Sequence, residues 1–391
     1  MKNIFRYASL LAAAAMLAVS CNPASQPDTP DTPDTPGGTN PVTGTLKLTV
    51  DKQIIQSNGA DAVTLKVELD GKAVTEEVIF HDSRNSDAVI EVSNFKFTTE
   101  TSGEYGIWAE YLTLISNEVK ITAVPTAVPE TPADPQPANT SFVRRSLLTQ
   151  FTGTGCVNCP GMKSLLKSVF AEPEMADKVV RTAVHGYNED DPAYIGKYVS
   201  SSNYPMINMD FVETTGYGGN TTPSDIKNWM ETIYSAQEAL AGISVNSAYK
   251  DGQIVIKATV KAAKDGQYRI GALLVEDGIE GQQNGAKPSE TEMHIHDWCV
   301  RHADCDSNYS GHKLGTVKAG ETAEYFFAWD LNSTSMQWNK KPYGGSLWKA
   351  PVIENSYIVL CVYVQDAAGR SIIVNNAVVA EIGSPVPFEY K

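Results

Sequence analysis

The chain has no uninterrupted apolar run of the roughly 20 residues that a membrane-spanning helix needs. The best candidate, Leu10 to Val19, stops at about half that length. Positive charge is scarce as well: 31 Lys and Arg face 46 Asp and Glu, leaving −15. A surface this acidic repels phosphate backbones and anionic headgroups, which argues against nucleic acid as a partner. The 6 cysteines supply one C-x-x-C and no second, so a zinc ribbon has no counterpart. No Ser-His-Asp pattern, phosphate-binding glycine loop or paired-carboxylate glycosidase pattern stands out. What remains is an ordinary globular composition, 42% hydrophobic and 20% charged, long enough for two or three domains of about 150 residues each.

The apolar run follows Lys2 and Arg6 and ends in small residues, which is the pattern of a secretory signal. Ala18-Val19-Ser20-Cys21 resembles a bacterial lipobox, whose cysteine is acylated and becomes the new N-terminus. Residues 1–20 are therefore expected to be a lipoprotein signal peptide and Cys21 the lipidation site, with plain secretion and a free Cys21 as the alternative. Several acyl chains make such an anchor effectively permanent. Cleavage removes Lys2 and Arg6 and takes the charge from −15 to −17. Residues 21–44 carry the repeat Pro27-Asp28-Thr29-Pro30-Asp31-Thr32-Pro33-Asp34-Thr35-Pro36 and read as a tether. At about 3.1 Å per residue it could hold the first domain up to roughly 70 Å from the lipid.

Residues 45–123 alternate apolar and polar positions, as in Val63-Thr64-Leu65-Lys66-Val67-Glu68-Leu69, between turn signals such as Asp70-Gly71. They read as a small β-sandwich of immunoglobulin type, with Tyr105 in a tyrosine-corner context and Ile107 where a disulfide cysteine would stand. The region has no cysteine and one histidine, His81, and carries no recognisable chemistry. Residues 124–140, rich in proline from Pro125 to Pro137, read as a plain spacer.

Residues 141–241 are the informative part. An apolar strand, Ser146 to Phe151, runs into Thr152-Gly153-Thr154-Gly155 and then Cys156-Val157-Asn158-Cys159-Pro160. Beyond it Met162, Leu165, Leu166, Val169 and Phe170 fall on one helical face. Two thiols at a helix N-terminus lie where unpaired amides and the helix dipole favour a thiolate. Cys156, nearer the solvent, is the expected nucleophile and Cys159 the resolving thiol. A strand comes next, Val179 to His185, so the order implies parallel strands joined by a right-handed crossover, as in thioredoxin. Pro205, in Tyr204-Pro205-Met206-Ile207-Asn208-Met209, is the candidate for the cis-proline that helps hold a substrate chain. A last helix starts with Thr222 as N-cap and Pro223 in the first turn, burying Ile226, Trp229, Met230, Ile233 and Tyr234 and ending near Leu240.

The stretch Thr152 to Pro160 resembles the outer membrane protein twenty-eight family of Bacteroidetes lipoproteins, and the likeness covers roughly residues 140 to 385. It implies a thioredoxin-like domain followed by a C-terminal β-sandwich, and favours the outer membrane as the site of the anchor, facing the periplasm or the cell surface. The chain departs from active thioredoxins at two places. Gly155 stands where a Trp usually precedes the first cysteine, and Gln150 where a buried acid accepts the proton of the resolving thiol. General-base help is worth about 10²- to 10⁴-fold, and glutamine cannot give it.

Residues 242–385 contain further alternating strands, among them Ile254 to Lys261 and Tyr357 to Val364, and read as a second β-sandwich. His294 to Cys305 concentrates His294, His296, Cys299, His302 and Cys305 in one expected loop. Its spacing matches no standard metal site, and export favours a structural Cys299–Cys305 disulfide, with a metal site or free thiols as alternatives. Cys361 reads as a buried, inert thiol. Trp338, Tyr343 and Trp348 read as a loop covering the sandwich edge, or as an exposed contact for carbohydrate or protein. Two functions emerge, with no cofactor: a tethered thiol-disulfide oxidoreductase acting on exported cysteine-containing proteins, or a surface scaffold whose C-x-x-C is a static disulfide. Half of a zinc site is the third reading of that motif.

Overall fold

The N-terminal strands bury alternate residues, because successive side chains of an extended chain point to opposite faces. In Val63–Leu69, Val63, Leu65 and Val67 are buried while Thr64 and Lys66 are exposed. A computed structural model describes residues 42–196, 198–306, 308–340 and 348–391. The expected signal peptide, Cys21, most of the tether and Tyr343 lie outside the described residues. In the first region a sheet containing Leu46–Val50 and Val63–Leu69 faces a second containing Val78–Asp82, Gly103–Tyr111 and Val119–Val124. Leu48, Leu65 and Val67 meet Phe80, Ile107 and Ile121 in the core between them. The Tyr105 hydroxyl donates to the Thr101 carbonyl at 2.8 Å, the back-bond expected of a tyrosine corner.

Beyond residue 140, one sheet carries both the strand that leads to the thiols and most of the C-terminal strands. Its order is Glu213–Gly216, Met206–Met209, Ser146–Thr152, Val179–His185, Cys299–Asp304, Gly266–Glu276, Ser356–Gln365 and Ile372–Glu381. The boundary expected between 141–241 and 242–385 is thus not a division between sheets. The join is narrow: Ala183 pairs with Cys299, and the Ala183 amide donates to the Trp298 carbonyl at 2.6 Å. Ser146–Thr152 and Val179–His185 run parallel, linked through the helix Cys159–Val169.

That helix and Pro223–Ser235 cover one face of the thiol-bearing strands, where Leu148 and Ile207 meet Met162, Leu166 and Met230. On the other face Leu147, Phe151, Val180 and Val184 share a cluster with Leu273, Val300 and Val359 of the C-terminal strands. A three-stranded sheet of Ala241–Lys250, Gln253–Ala262 and Thr322–Asp330 encloses a further core against Ile270, Leu274 and Leu360 of the long sheet. The segment 124–140 is no plain spacer. Glu130 pairs with Lys257, and Lys261, 1% exposed, donates to Asp134, the Gln136 and Pro137 carbonyls and the Tyr390 hydroxyl. Two buried lysines on one strand created a demand for acceptors that a proline-rich reading overlooked.

Candidate functional site

The strand Ser146–Thr152 ends and the chain turns through Gly153 to Gly155 before the helix starts at Cys159, with Pro160 in its first turn. Pro suits that position because its missing N–H would have no intrahelical partner there. Cys156 and Cys159 are joined by a disulfide with Cα atoms 5.4 Å apart. Both are 2% exposed, whereas Val157 between them is 65% exposed. The expectation that Cys156 lies nearer the solvent is therefore corrected: the two cysteines are equally buried. The helix-start amides are also partly spent, since Cys159 N donates to the Cys156 carbonyl, Gly161 N to that of Asn158, and Pro160 has no N–H.

Two loops hold this turn. The first leaves the strand Val179–His185: Asp191 accepts from Thr154 N at 2.6 Å, and Asn188 accepts from Gly155 N at 2.8 Å. A side chain on Gly153 would place its Cβ 2.6 Å from that of Tyr187, so only glycine allows the two loops to pack this closely. The second comes from the C-terminal region, between Ile279–Glu280 and the turn Thr291–His294. Gln283, 4% exposed, donates from Nε2 to the carbonyls of Gly153, Thr154 and Cys156 at 3.2, 3.2 and 2.9 Å. Asn284 N donates to the Thr154 carbonyl at 2.7 Å. Gly285 has φ +82°, and a Cβ there would fall 2.0 Å from the Val157 oxygen.

Behind the disulfide lies a small cavity lined by Cys159, Gln150, Lys163, His185, His296 and Trp298. His185 is buried with its Nδ1 donating to Asp191 at 2.9 Å and its Nε2 3.5 Å from the Cys299 sulfur. Burial opposes a charged imidazole, yet the Asp191 carboxylate and the Cys299 sulfur raise the His185 pKa to about 10. Burial would likewise raise the Asp191 carboxyl, but the His185 imidazolium and the Thr154 and Ala193 amides hold it well below the usual carboxylate range. His296 is the opposite case: burial and the nearby His185 charge lower it to about 4. It is a neutral imidazole whose Nε2–H donates to the Gly281 carbonyl at 3.0 Å. Burial also lowers Lys163, whose ammonium donates to the Glu292 carbonyl at 2.8 Å.

Gln150 lines the same small cavity as Cys159. The ionisable groups lining the cavity with Cys159 are Lys163 of the thiol helix, His185 of the neighbouring strand and His296 of the C-terminal region, and of these the sequence singled out His296 alone, in its cluster with His294. The Tyr204–Pro205 peptide is cis. Pairing of Phe151 with Met206 puts Pro205 at the end of the sheet from which the thiol turn departs.

The expected Cys299–Cys305 disulfide is absent; both are free thiols, as is Cys361. The segment is a strand, Cys299–Asp304, rather than a loop. At about 3.3 Å per residue its ends lie roughly 16 Å apart, far beyond the 7 Å that a disulfide spans. Burial raises the Cys305 thiol to about 12, and raises the Cys361 thiol well above its ordinary value. Among the described residues no group of three His, Cys, Asp or Glu side chains is arranged to hold a metal ion. His294 is engaged at both nitrogens, accepting from Gln283 N and donating to the Lys287 carbonyl. Trp338 packs in the core with its Nε1 donating to the Leu331 carbonyl, and Trp348 stacks on Tyr194.

No protein family matches the chain, and no curated protein does. Among solved structures it is similar to HBP35 of Porphyromonas gingivalis, with 16% identity and a TM-score of 0.48 over 64% of this chain and 78% of that one.

Proposed function

We propose that the protein is a lipoprotein, anchored through Cys21 to the outer membrane, with a thioredoxin-like unit that exchanges disulfides with exported proteins through Cys156 and Cys159. The observation that carries this reading is the ionisable cavity directly behind Cys159. A charged His185–Asp191 pair, a neutral His296 and Lys163 are costly to bury, and perturbed buried groups of this kind concentrate at functional sites. The strand order and the helix after the first strand agree with a thioredoxin-like arrangement, as does the position of Pro205. The lipobox and the likeness to the outer membrane protein twenty-eight family support the anchor.

In the exchange, the Cys156 thiolate attacks one sulfur of a partner disulfide and the other sulfur leaves as a thiolate. Cys159 then loses its proton, attacks the Cys156 sulfur, and releases the partner reduced as the intramolecular disulfide forms. The reverse sequence oxidises a partner dithiol. Lys163 lines the place where the Cys159 thiolate would carry negative charge.

A second reading, a surface scaffold with a static disulfide, is favoured by the 2% exposure of both cysteines. Against it, a bridge closing so short a loop stabilises by only about 2 kcal/mol on the chain-entropy estimate. A Cys159→Ser variant expressed with its native export signal separates the two. The exchange reading expects partner proteins trapped as reducible adducts on Cys156; absence of any adduct, with the variant folded, leaves the scaffold.

A further inference from the structure

We propose that residues 281–286 form a lid over the disulfide, closed by Gln283, and that its local opening admits thiols to Cys156. The inference deepens the exchange reading and rests on it for its biological meaning. Cys156 is buried although it lies in a turn whose neighbour Val157 is largely exposed, so its cover is local and comes from one side. On that side the Gln283 amide donates to three carbonyls of the thiol turn, that of Cys156 among them, and the Asn284 N–H donates to the Thr154 carbonyl. Glycines bound the segment: Gly281 at its start and Gly285, at positive φ, seated on the Val157 backbone. Outside it the strap is fixed to the thiol helix, since Lys163 donates to the Glu292 carbonyl and Lys167 pairs with Glu292 at 2.7 Å. A short polar segment between fixed ends, attached to the turn by hydrogen bonds and by the close packing of Gly281 and Gly285, is a unit that opens without unfolding the sheet. The wall it presents is made of donors to backbone carbonyls rather than of apolar side chains, so little apolar surface is exposed when it lifts.

The test is the rate at which dithiothreitol reduces the disulfide in the full folded chain, read by mass after acid quench, for wild type and Gln283→Ala. One net hydrogen bond corresponds to a factor of roughly 2 to 12, so the variant should be reduced about five- to tenfold faster with an unchanged circular dichroism spectrum. Equal rates within twofold would overturn the lid. Should the variant fail to fold, wild type decides: reduction that keeps pace with hydrogen exchange of the Asn284 amide supports local opening. Reduction that keeps pace only with the Ser146–Thr152 strand amides requires global unfolding and refutes it. The two proposals fail separately. Faster reduction of Gln283→Ala with no adduct on Cys159→Ser sinks the exchange reading alone, and a trapped partner with equal reduction rates sinks the lid alone.

Discussion

Replacing Asp191 by Asn isolates the electrostatics beneath the thiols. The carboxylate accepts from the Thr154 amide and from His185 through Oδ2, and from the Ala193 amide through Oδ1. An asparagine must turn its NH₂ toward one of these donors, so at least one buried bond is lost along with the charge. Removing one partner of a buried ion pair typically costs about 3–5 kcal/mol, because the other is left uncompensated. The size of the loss should depend on pH. In wild type the folded His185 pKa, about 10, exceeds the unfolded value of roughly 6.5. Its contribution is therefore complete below about pH 6.5 and fades as pH rises toward 10. In the variant a buried His185 without its counter-ion titrates below the unfolded value, so stability should instead rise with pH between about 5 and 7. Guanidinium unfolding of both proteins from pH 5 to 9 reads the two slopes. A gap in unfolding free energy that stays constant across that range, or one below about 1 kcal/mol at pH 6, would refute a charged His185–Asp191 pair.

Two further expectations concern parts of the chain that the sequence misplaced. Alkylation of the mature protein in denaturant without reductant should modify Cys299, Cys305 and Cys361 and spare Cys156 and Cys159; protection of Cys299 and Cys305 as a pair would contradict the strand between them. Lys261→Met should release the 124–140 segment, because Asp134, the Gln136 and Pro137 carbonyls and the Tyr390 hydroxyl lose their shared donor. Limited proteolysis should then cut between Pro125 and Pro137 at least tenfold faster than in wild type, and an unchanged cutting rate would return that segment to the status of a spacer.

What the sequence made legible was whatever short-range periodicity and capping determine. The thiol helix, the strand Val179–His185 and the helix capped by Thr222 fall where the pattern puts them, the last with a full capping box to Asp225. Its end differs: the helix stops at Ser235, short of the expected Leu240. Periodicity was blind to which strands pair. Cys299–Asp304 reads as a loop because half of its residues are polar, yet Arg301 is buried against Glu276 and Asp304 accepts from Trp329 and His312. Buried ion pairs let a polar segment occupy an interior position that composition assigns to solvent. The candidate site divides the same way. Cys156 and Cys159 announce themselves by spacing, whereas Gln283 and His296 reach the His185–Asp191 pair and the thiol turn only because a strand over a hundred residues downstream joins the thiol-bearing sheet.

That join makes the thiol-bearing region dependent on the C-terminal strands. Its two long helices both pack on the Leu148 and Ile207 face. On the opposite face Leu147, Phe151, Val180 and Val184, all nearly inaccessible, rest in a cluster with Leu273, Val275, Val300, Val359 and Tyr363. Of the ten other buried residues in that cluster eight lie beyond residue 242, and only Ile195 and Tyr198 come from within 141–241. Burying one such side chain is worth about 1.5–3 kcal/mol, so uncovering four approaches the whole stability of a small domain, about 5–15 kcal/mol. Residues 141–241 expressed alone should therefore fail to unfold cooperatively, bind a hydrophobic dye and aggregate, while 141–391 should melt in one transition that includes the thiol helix. A soluble, cooperatively folded 141–241 fragment would show that the shared sheet is a contact between two self-sufficient units, and the cover over Cys156 would then be a docking event rather than part of the fold.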